Sequence, residues 1–108
     1  MSAENRRFPR FCKRLRVLIG NLELHTTNLS LGGMQLACPG MRMHALEPRL
    51  AEGTLLIELE VPRAQTFSIP CRVVYSNKAG DEWLIGLKFE QVAETLPGPL
   101  QDYLARLR

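Results

Sequence analysis

The chain has few of the residues from which catalytic centres and metal sites are built. Its three cysteines include no C-x-x-C pair, and neither of its two histidines, His25 and His44, has metal-ligand spacing to a cysteine or a carboxylate. An odd cysteine count also argues against a disulfide framework. The sequence contains no P-loop, no dinucleotide-binding fingerprint and no G-x-S-x-G elbow. We therefore predict a protein that is not an enzyme and that carries no metal or other cofactor.

Long hydrophobic segments are also missing. No apolar run approaches the ~20 residues that a membrane-spanning helix needs, and the N-terminus is charged rather than signal-like. With 108 residues, of which 45% are hydrophobic and 23% are charged, the composition is that of an ordinary soluble domain. We expect a single cytoplasmic domain with no membrane span.

Basic charge is scarce outside the N-terminal region. Residues 1–16 hold six basic residues and one acidic residue, a net charge of +5, whereas the whole chain has a net charge of +3. The remaining 92 residues therefore have a net charge of −2. So small a basic patch suits a compact anionic ligand better than a nucleic acid polymer.

What the chain does contain is six short segments in which apolar residues alternate with others, the pattern of half-buried strands. They cover residues 14–19, 22–28, 34–38, 55–61, 67–75 and 83–89. Gly20-Asn21 is a two-residue hairpin signal, and Pro70 suggests an edge position or a bulge in the fifth segment. Short strands separated by turns about every 8–12 residues predict an all-β fold, here a six-stranded antiparallel β-barrel.

The predicted organisation has three parts. Residues 1–12 form a flexible basic arm, residues 13–90 form the barrel, and residues 97–108 form a short amphipathic C-terminal helix. Between the third and fourth strands, residues 39–53 are irregular, with a weak signal for a helix at residues 43–50.

Three arginines fall within five residues of the predicted arm: Arg6, Arg7 and Arg10. A guanidinium is a planar donor that pairs bidentately with phosphate oxygens or with O6 and N7 of guanine. In an extended arm at ~3.3 Å per residue, Arg6 and Arg10 lie roughly 13 Å apart, a gap that long side chains can close around a compact ligand. The arm is therefore suited to a ligand that carries both guanine and phosphate.

The second polar segment is the turn N-L-S-L-G-G at residues 28–33. Asn28 and Ser30 offer donors and acceptors, and Gly32 or Gly33 can take a positive φ and admit a ligand closely. Seventeen residues separate Arg10 from Asn28, about enough for one hairpin. If that hairpin forms, the arm and the turn face one site.

Together these motifs resemble those of the PilZ domain, a bacterial receptor module for cyclic di-GMP. That family is marked by Arg-x-x-x-Arg in an N-terminal arm, matched here by Arg6 and Arg10 with Arg7 as an additional arginine. Its second motif, Asp/Asn-x-Ser-x-x-Gly, is matched at residues 28–33, and I-G-L-K-F at residues 85–89 resembles its last strand. The resemblance implies the six-stranded, split-barrel type of barrel with a C-terminal helix.

The resemblance also implies a ligand, cyclic di-GMP, bound as one molecule or as an intercalated dimer. Tyr75 falls near the end of the fifth strand, where some relatives stack an aromatic ring on guanine; the alternative is a tyrosine at the core edge with its hydroxyl in water. Trp83 fits packing better than ligand contact. The other implied ligand-binding residues are Arg6, Arg7 and Arg10 for guanine edges and phosphates, Asn28 and Ser30 for the base, and Gly32 and Gly33 for the turn.

The function implied is that of a receptor whose ligand orders the arm over the barrel. The changed surface would regulate a protein partner of unknown identity in trans, in the control of motility, pili, biofilm or exopolysaccharide. The alternative is a PilZ adaptor that does not bind the nucleotide and acts by protein contact in pilus or motility assembly. A third hypothesis, a binder of single-stranded nucleic acid, needs an aromatic platform on a basic face, and the acidic balance beyond residue 16 argues against it.

Overall fold

The computed structural model describes residues 8–107 and shows a barrel of antiparallel strands with two short helices. The strands are β1 (Phe11–Cys12), β2 (Arg16–Ile19), β3 (Leu22–Leu29), β4 (Gly33–Pro39), β5 (Thr54–Glu60), β6 (Thr66–Ala79) and β7 (Glu82–Phe89), and the helices are α1 (Met43–Leu50) and α2 (Gly98–Ala105). Within the described residues, no helix is both long and apolar enough to cross a bilayer.

Six of the strands close into a barrel. Their order is β2–β5–β6–β7–β4–β3, and β3 pairs again with β2, every pair being antiparallel. The predicted all-β, six-stranded antiparallel barrel is therefore confirmed. The two-residue strand β1 is an addition to the prediction, and it pairs with the end of β3.

The barrel interior is filled by the inward side of each alternating strand. Val17, Ile57 and Ile85, from three different strands, have no exposed side-chain surface, and burying a side chain of this kind contributes about 1.5–3 kcal/mol. Both helices add to the same core, α1 through Leu46 and α2 through Leu100. Because these side chains fill the interior, a ligand as large as a nucleotide must bind outside the barrel.

The longest strand, β6, differs from the prediction in two ways. It continues to Ala79, so the turn before β7 is confined to residues 80–81. Pro70 lies neither in an edge strand nor at a bulge: it pairs with Leu56 of β5 in a regular register. On the side of β7, its carbonyl accepts a hydrogen bond from the N–H of Glu90, one residue past the end of that strand. The N–H that proline lacks would therefore point beyond the paired part of β7, so no ladder hydrogen bond is lost. The irregularity lies instead between Val73 and Tyr75.

Candidate ligand-binding face

The β2–β3 hairpin brings the arginine segment and the polar turn together. The two residues of β1 pair with the end of β3, with Phe11 opposite Leu29 and Cys12 opposite Asn28. Just before β1, Nη1 of Arg10 donates a hydrogen bond to Oδ1 of Asn28 over 3.2 Å. The structure thus joins Arg10 to Asn28, as the length of the hairpin predicted, while Arg6 and Arg7 lie outside the described residues.

A buried threonine holds the segment between β1 and β2. The hydroxyl of Thr26, a residue only 2% exposed, accepts a hydrogen bond from the N–H of Leu15 at 2.8 Å and donates to the carbonyl of Lys13 at 2.6 Å. Sequence reasoning missed this residue as part of the site. The available signal was a polar residue on the same face as Leu24 in the predicted strand, where burial requires a partner.

Ser30 organises the polar turn from within. Its hydroxyl, in a side chain 5% exposed, accepts hydrogen bonds from the N–H groups of Gly32 at 3.1 Å and Gly33 at 3.2 Å. Its own N–H donates to the carbonyl of Gly33 at 2.9 Å. The structure therefore gives this hydroxyl two backbone donors inside the turn, which fixes the shape of the loop beside Asn28.

The positive φ that glycine permits is not used at Gly32 or Gly33. Neither residue has one, because Gly33 is already the first residue of β4 and takes extended backbone. What Gly33 supplies is close approach: a Cβ there would overlap the carbonyl oxygen of Leu87 and lie 3.1 Å from Cα of Lys88. Glycine is required at this position by strand packing, which a motif read without a sheet register does not reveal.

Tyr75 lies on the outer face of the barrel in line with Asn28. Across β3, β4, β7 and β6 the successive register partners are Asn28, Gln35, Gly86 and Tyr75. The tyrosine ring covers Gly86, where a Cβ would collide with it, and its hydroxyl accepts a hydrogen bond from Nε2 of Gln35 at 2.6 Å. Three strand spacings of about 4.8 Å place Asn28 and Tyr75 about 14 Å apart.

Gln35 is a second residue that sequence reasoning missed, and unlike Thr26 it lies on the outer face. Its Oε1 accepts a hydrogen bond from the hydroxyl of Thr27 at 2.7 Å, and this bond orients the amide so that Nε2 points to the hydroxyl of Tyr75. Side-chain hydrogen bonds thus link Thr27, Gln35 and Tyr75 across this face. Trp83, by contrast, pairs with Lys78 near the far end of β7 and packs against the core.

A groove of about 720 Å³ runs beside this face, between residues 12–14 and the outer side of β3 and β4. Cys12, the register partner of Asn28, places one end of the groove next to the Arg10–Asn28 contact. The charged residues that line it are Lys13, Arg14, Arg42, Glu23 and Glu82.

Arg16 belongs to the basic N-terminal region by sequence, but its charge is already paired. Its guanidinium contacts Glu23 at 3.1 Å and Glu60 at 2.6 Å, and the hydrogen bond to Glu23 is the main cause that raises its pKa. The positive charge available to a ligand is therefore smaller than the sequence count suggests.

Comparison with known proteins identifies the family of the chain. The chain matches the model of the PilZ domain over residues 4–106. It belongs to the PilZ domain family. The predicted resemblance is confirmed, and the family is one of receptor and adaptor domains.

Two solved structures share the fold of this PilZ domain. The Bacillus subtilis inhibitor of motility, MotI/DgrA, superimposes with a TM-score of 0.65 at 15% identity, over 92% of this chain and 47% of that one. The PilZ domain with c-di-GMP of YcgR from Escherichia coli gives a TM-score of 0.59 at 14% identity, over 94% of this chain and 86% of that one. The chain thus spans about half the length of MotI. A search of curated protein sequences found no match to this chain.

Proposed function

We propose that this PilZ domain is a receptor for cyclic di-GMP, bound on the outer face of β3, β4, β7 and β6. The observation that carries the proposal is the hydrogen bond between Arg10 and Asn28, because it joins two motifs that lie 18 residues apart in one site. The ligand named for the YcgR structure, which has the same fold, supports the choice of nucleotide.

Arg10 is placed to bind the nucleotide directly. Its side chain is exposed, and the contact with Asn28 uses one nitrogen of a guanidinium that has five N–H donors. The remaining donors are available for phosphate oxygens or for O6 and N7 of guanine. By the family motif, Arg6 and Arg7 add the further donors that two guanines and two phosphates need.

The other residues of the face have complementary roles. Asn28 orients Arg10 and contacts the base, while Ser30, with Gly32 and Gly33, keeps the turn beside it in shape. Tyr75 stacks a guanine on the ring side that faces away from Gly86, since the other side covers that glycine. The groove beside residues 12–14 gives room for a second base or a second nucleotide.

The proposed output is a change of surface. A ligand gripped by residues 6–10 on one side and by the barrel face on the other draws the segment before β1 over the barrel, and the charge-assisted hydrogen bonds must exceed the entropy lost. A protein partner recognises the resulting surface in trans. The ordering of the segment by the ligand thus acts as an order–disorder switch. Control of motility is the process that the fold neighbour MotI suggests.

Titration calorimetry with cyclic di-GMP tests the proposal. We expect saturable binding to the unaltered protein and a loss of about 10–100-fold in affinity for Arg10→Ala, since a hydrogen bond to a charged group contributes about 1.5–3 kcal/mol. Arg106→Ala, which removes an exposed arginine after α2, is the matched control and should bind normally. Absence of any binding heat would instead favour the adaptor alternative.

A further inference from the structure

Two basic residues face each other on the same outer surface, one row along from Tyr75. Arg72 of β6 is the register partner of Lys88 of β7, and Lys88 is in turn the partner of Gly33, the last residue of the polar turn. Both charged side chains are exposed, whereas the neighbours of Lys88 along β7, Leu87 and Phe89, are buried. Strand alternation therefore points both charges outward.

This pairing is unfavourable for the fold itself. Like charges directly opposite each other on neighbouring strands, with Cβ atoms about 4.5–5.5 Å apart, destabilise a sheet. In the described part of the chain, neither Arg72 nor Lys88 forms an ion pair within 4.0 Å, and this includes Glu90, two residues beyond Lys88. An anion between the two side chains would remove the repulsion.

We infer that Arg72 and Lys88 form a phosphate subsite for the bound dinucleotide. The inference rests on the proposed function, and it adds two residues outside both PilZ motifs. Lys88 and Gly86 are two residues apart on one strand, about 7 Å, so the subsite lies next to the ring of Tyr75 that covers Gly86. A nucleotide whose base stacks on Tyr75 can place its phosphate between the two cations.

The position relative to the polar turn supports the same assignment. The N–H of Phe89, the residue after Lys88, donates to the carbonyl of Gly32 at 2.9 Å, so the turn and the end of β7 are held together. The phosphate held by Arg72 and Lys88 would then lie across the face from Arg10, which is bonded to Asn28 at the other edge. A cyclic dinucleotide has two phosphates, and these two groups of cations provide one position for each.

Lys88→Glu separates binding from folding. The substitution places a carboxylate opposite Arg72, so it should raise the midpoint of thermal unfolding, because opposite charges across a strand pair are favourable. At the same time it should weaken cyclic di-GMP binding about tenfold or more, because the new carboxylate repels the phosphate. Lys78→Gln, on the same hairpin but away from the row, is the charge control and should leave affinity unchanged.

The neutral variants Arg72→Gln and Lys88→Gln complete the test by calorimetry at several salt concentrations. Each should weaken binding, and the double variant should show a shallower dependence of affinity on salt than the unaltered protein. If the unaltered protein binds and Lys88→Glu binds equally well, the subsite is wrong and the proposed function stands. If Lys88→Glu unfolds at a lower temperature, the repulsion argument is wrong. If the unaltered protein does not bind, the proposed function itself fails.

Discussion

Gly33 offers the sharpest test of how the polar turn is built. Its replacement by alanine puts a Cβ into the carbonyl oxygen of Leu87, with two more backbone atoms 3.1 Å away, and none of these can rotate aside. Overpacking against movable side chains costs about 1–3 kcal/mol, and a backbone obstacle should reach the upper end. Alanine also lowers the conformational entropy of the unfolded chain, which offsets about 0.4–1 kcal/mol of this loss. We therefore expect Gly33→Ala to lower the free energy of unfolding by about 2–3 kcal/mol.

Urea unfolding measures this loss, and the neighbouring glycine is the control. With a slope of about 1–3 kcal/mol per M, a loss of about 2–3 kcal/mol in Gly33→Ala should lower the midpoint by about 0.7–3 M. At Gly32 the nearest atom to a new Cβ is Cδ2 of Phe8 at 3.1 Å, part of a side chain that can shift, so Gly32→Ala should stay within about 0.5 kcal/mol. Equal losses in the two variants, or a loss below about 1 kcal/mol for Gly33→Ala, would refute the packing argument.

Three further predictions follow from buried or covered groups. Thr26→Val should lower the free energy of unfolding in urea by about 1–3 kcal/mol, because the N–H of Leu15 loses the hydroxyl that accepts its hydrogen bond at 2.8 Å. Thr26→Ser should keep most of the stability, and similar losses in both variants would contradict the role of this hydroxyl. Burial raises the pKa of Cys71 from 9.0 to about 12, so the folded state holds this proton more tightly than the unfolded state does. The stability it adds is complete below about pH 9 and falls as the pH rises toward 12. Burial also raises the pKa of Cys38 and of Tyr103, so we expect Cys71→Ala to show a smaller decline than the unaltered protein when unfolding is measured across that range. Tyr75→Phe should bind cyclic di-GMP within about threefold of the unaltered protein, whereas Tyr75→Ala should lose about 1–3 kcal/mol of binding; equal affinities for the two would remove the stacking role.

The parts of the fold that follow local patterns were predictable from the sequence. Alternation located all six barrel strands, and the Gly20-Asn21 signal located the hairpin that brings Arg10 to Asn28. Helix α1 occupies Met43–Leu50, the range that its weak signal suggested. In each case the pattern extends over neighbouring residues, so no knowledge of distant pairing is needed.

The features that depend on pairing between distant strands were not predictable. The hydrogen bond from Gln35 to Tyr75 spans 40 residues, and it exists because β4 and β6 both flank β7 in the closed barrel. The need for glycine at Gly33 and the opposition of Arg72 to Lys88 arise in the same way, from registers that a single sequence does not specify.

A small closed barrel explains why the arginines stand where they do in the sequence. Six strands leave an interior that side chains fill, so the proposed ligand has only an outer surface to bind, and the outer surface of a barrel buries little of a bound molecule. Binding there would need protein contacts on a second side of the ligand, and the chain before β1 can provide them only if its position is fixed. The pairing of Cys12 with Asn28 does this, since it fixes the chain two residues after Arg10. In this chain the register sets the distance along the sequence between Arg10 and the turn, and the insertion or deletion of one residue between Arg10 and Cys12 should separate Arg10 from Asn28.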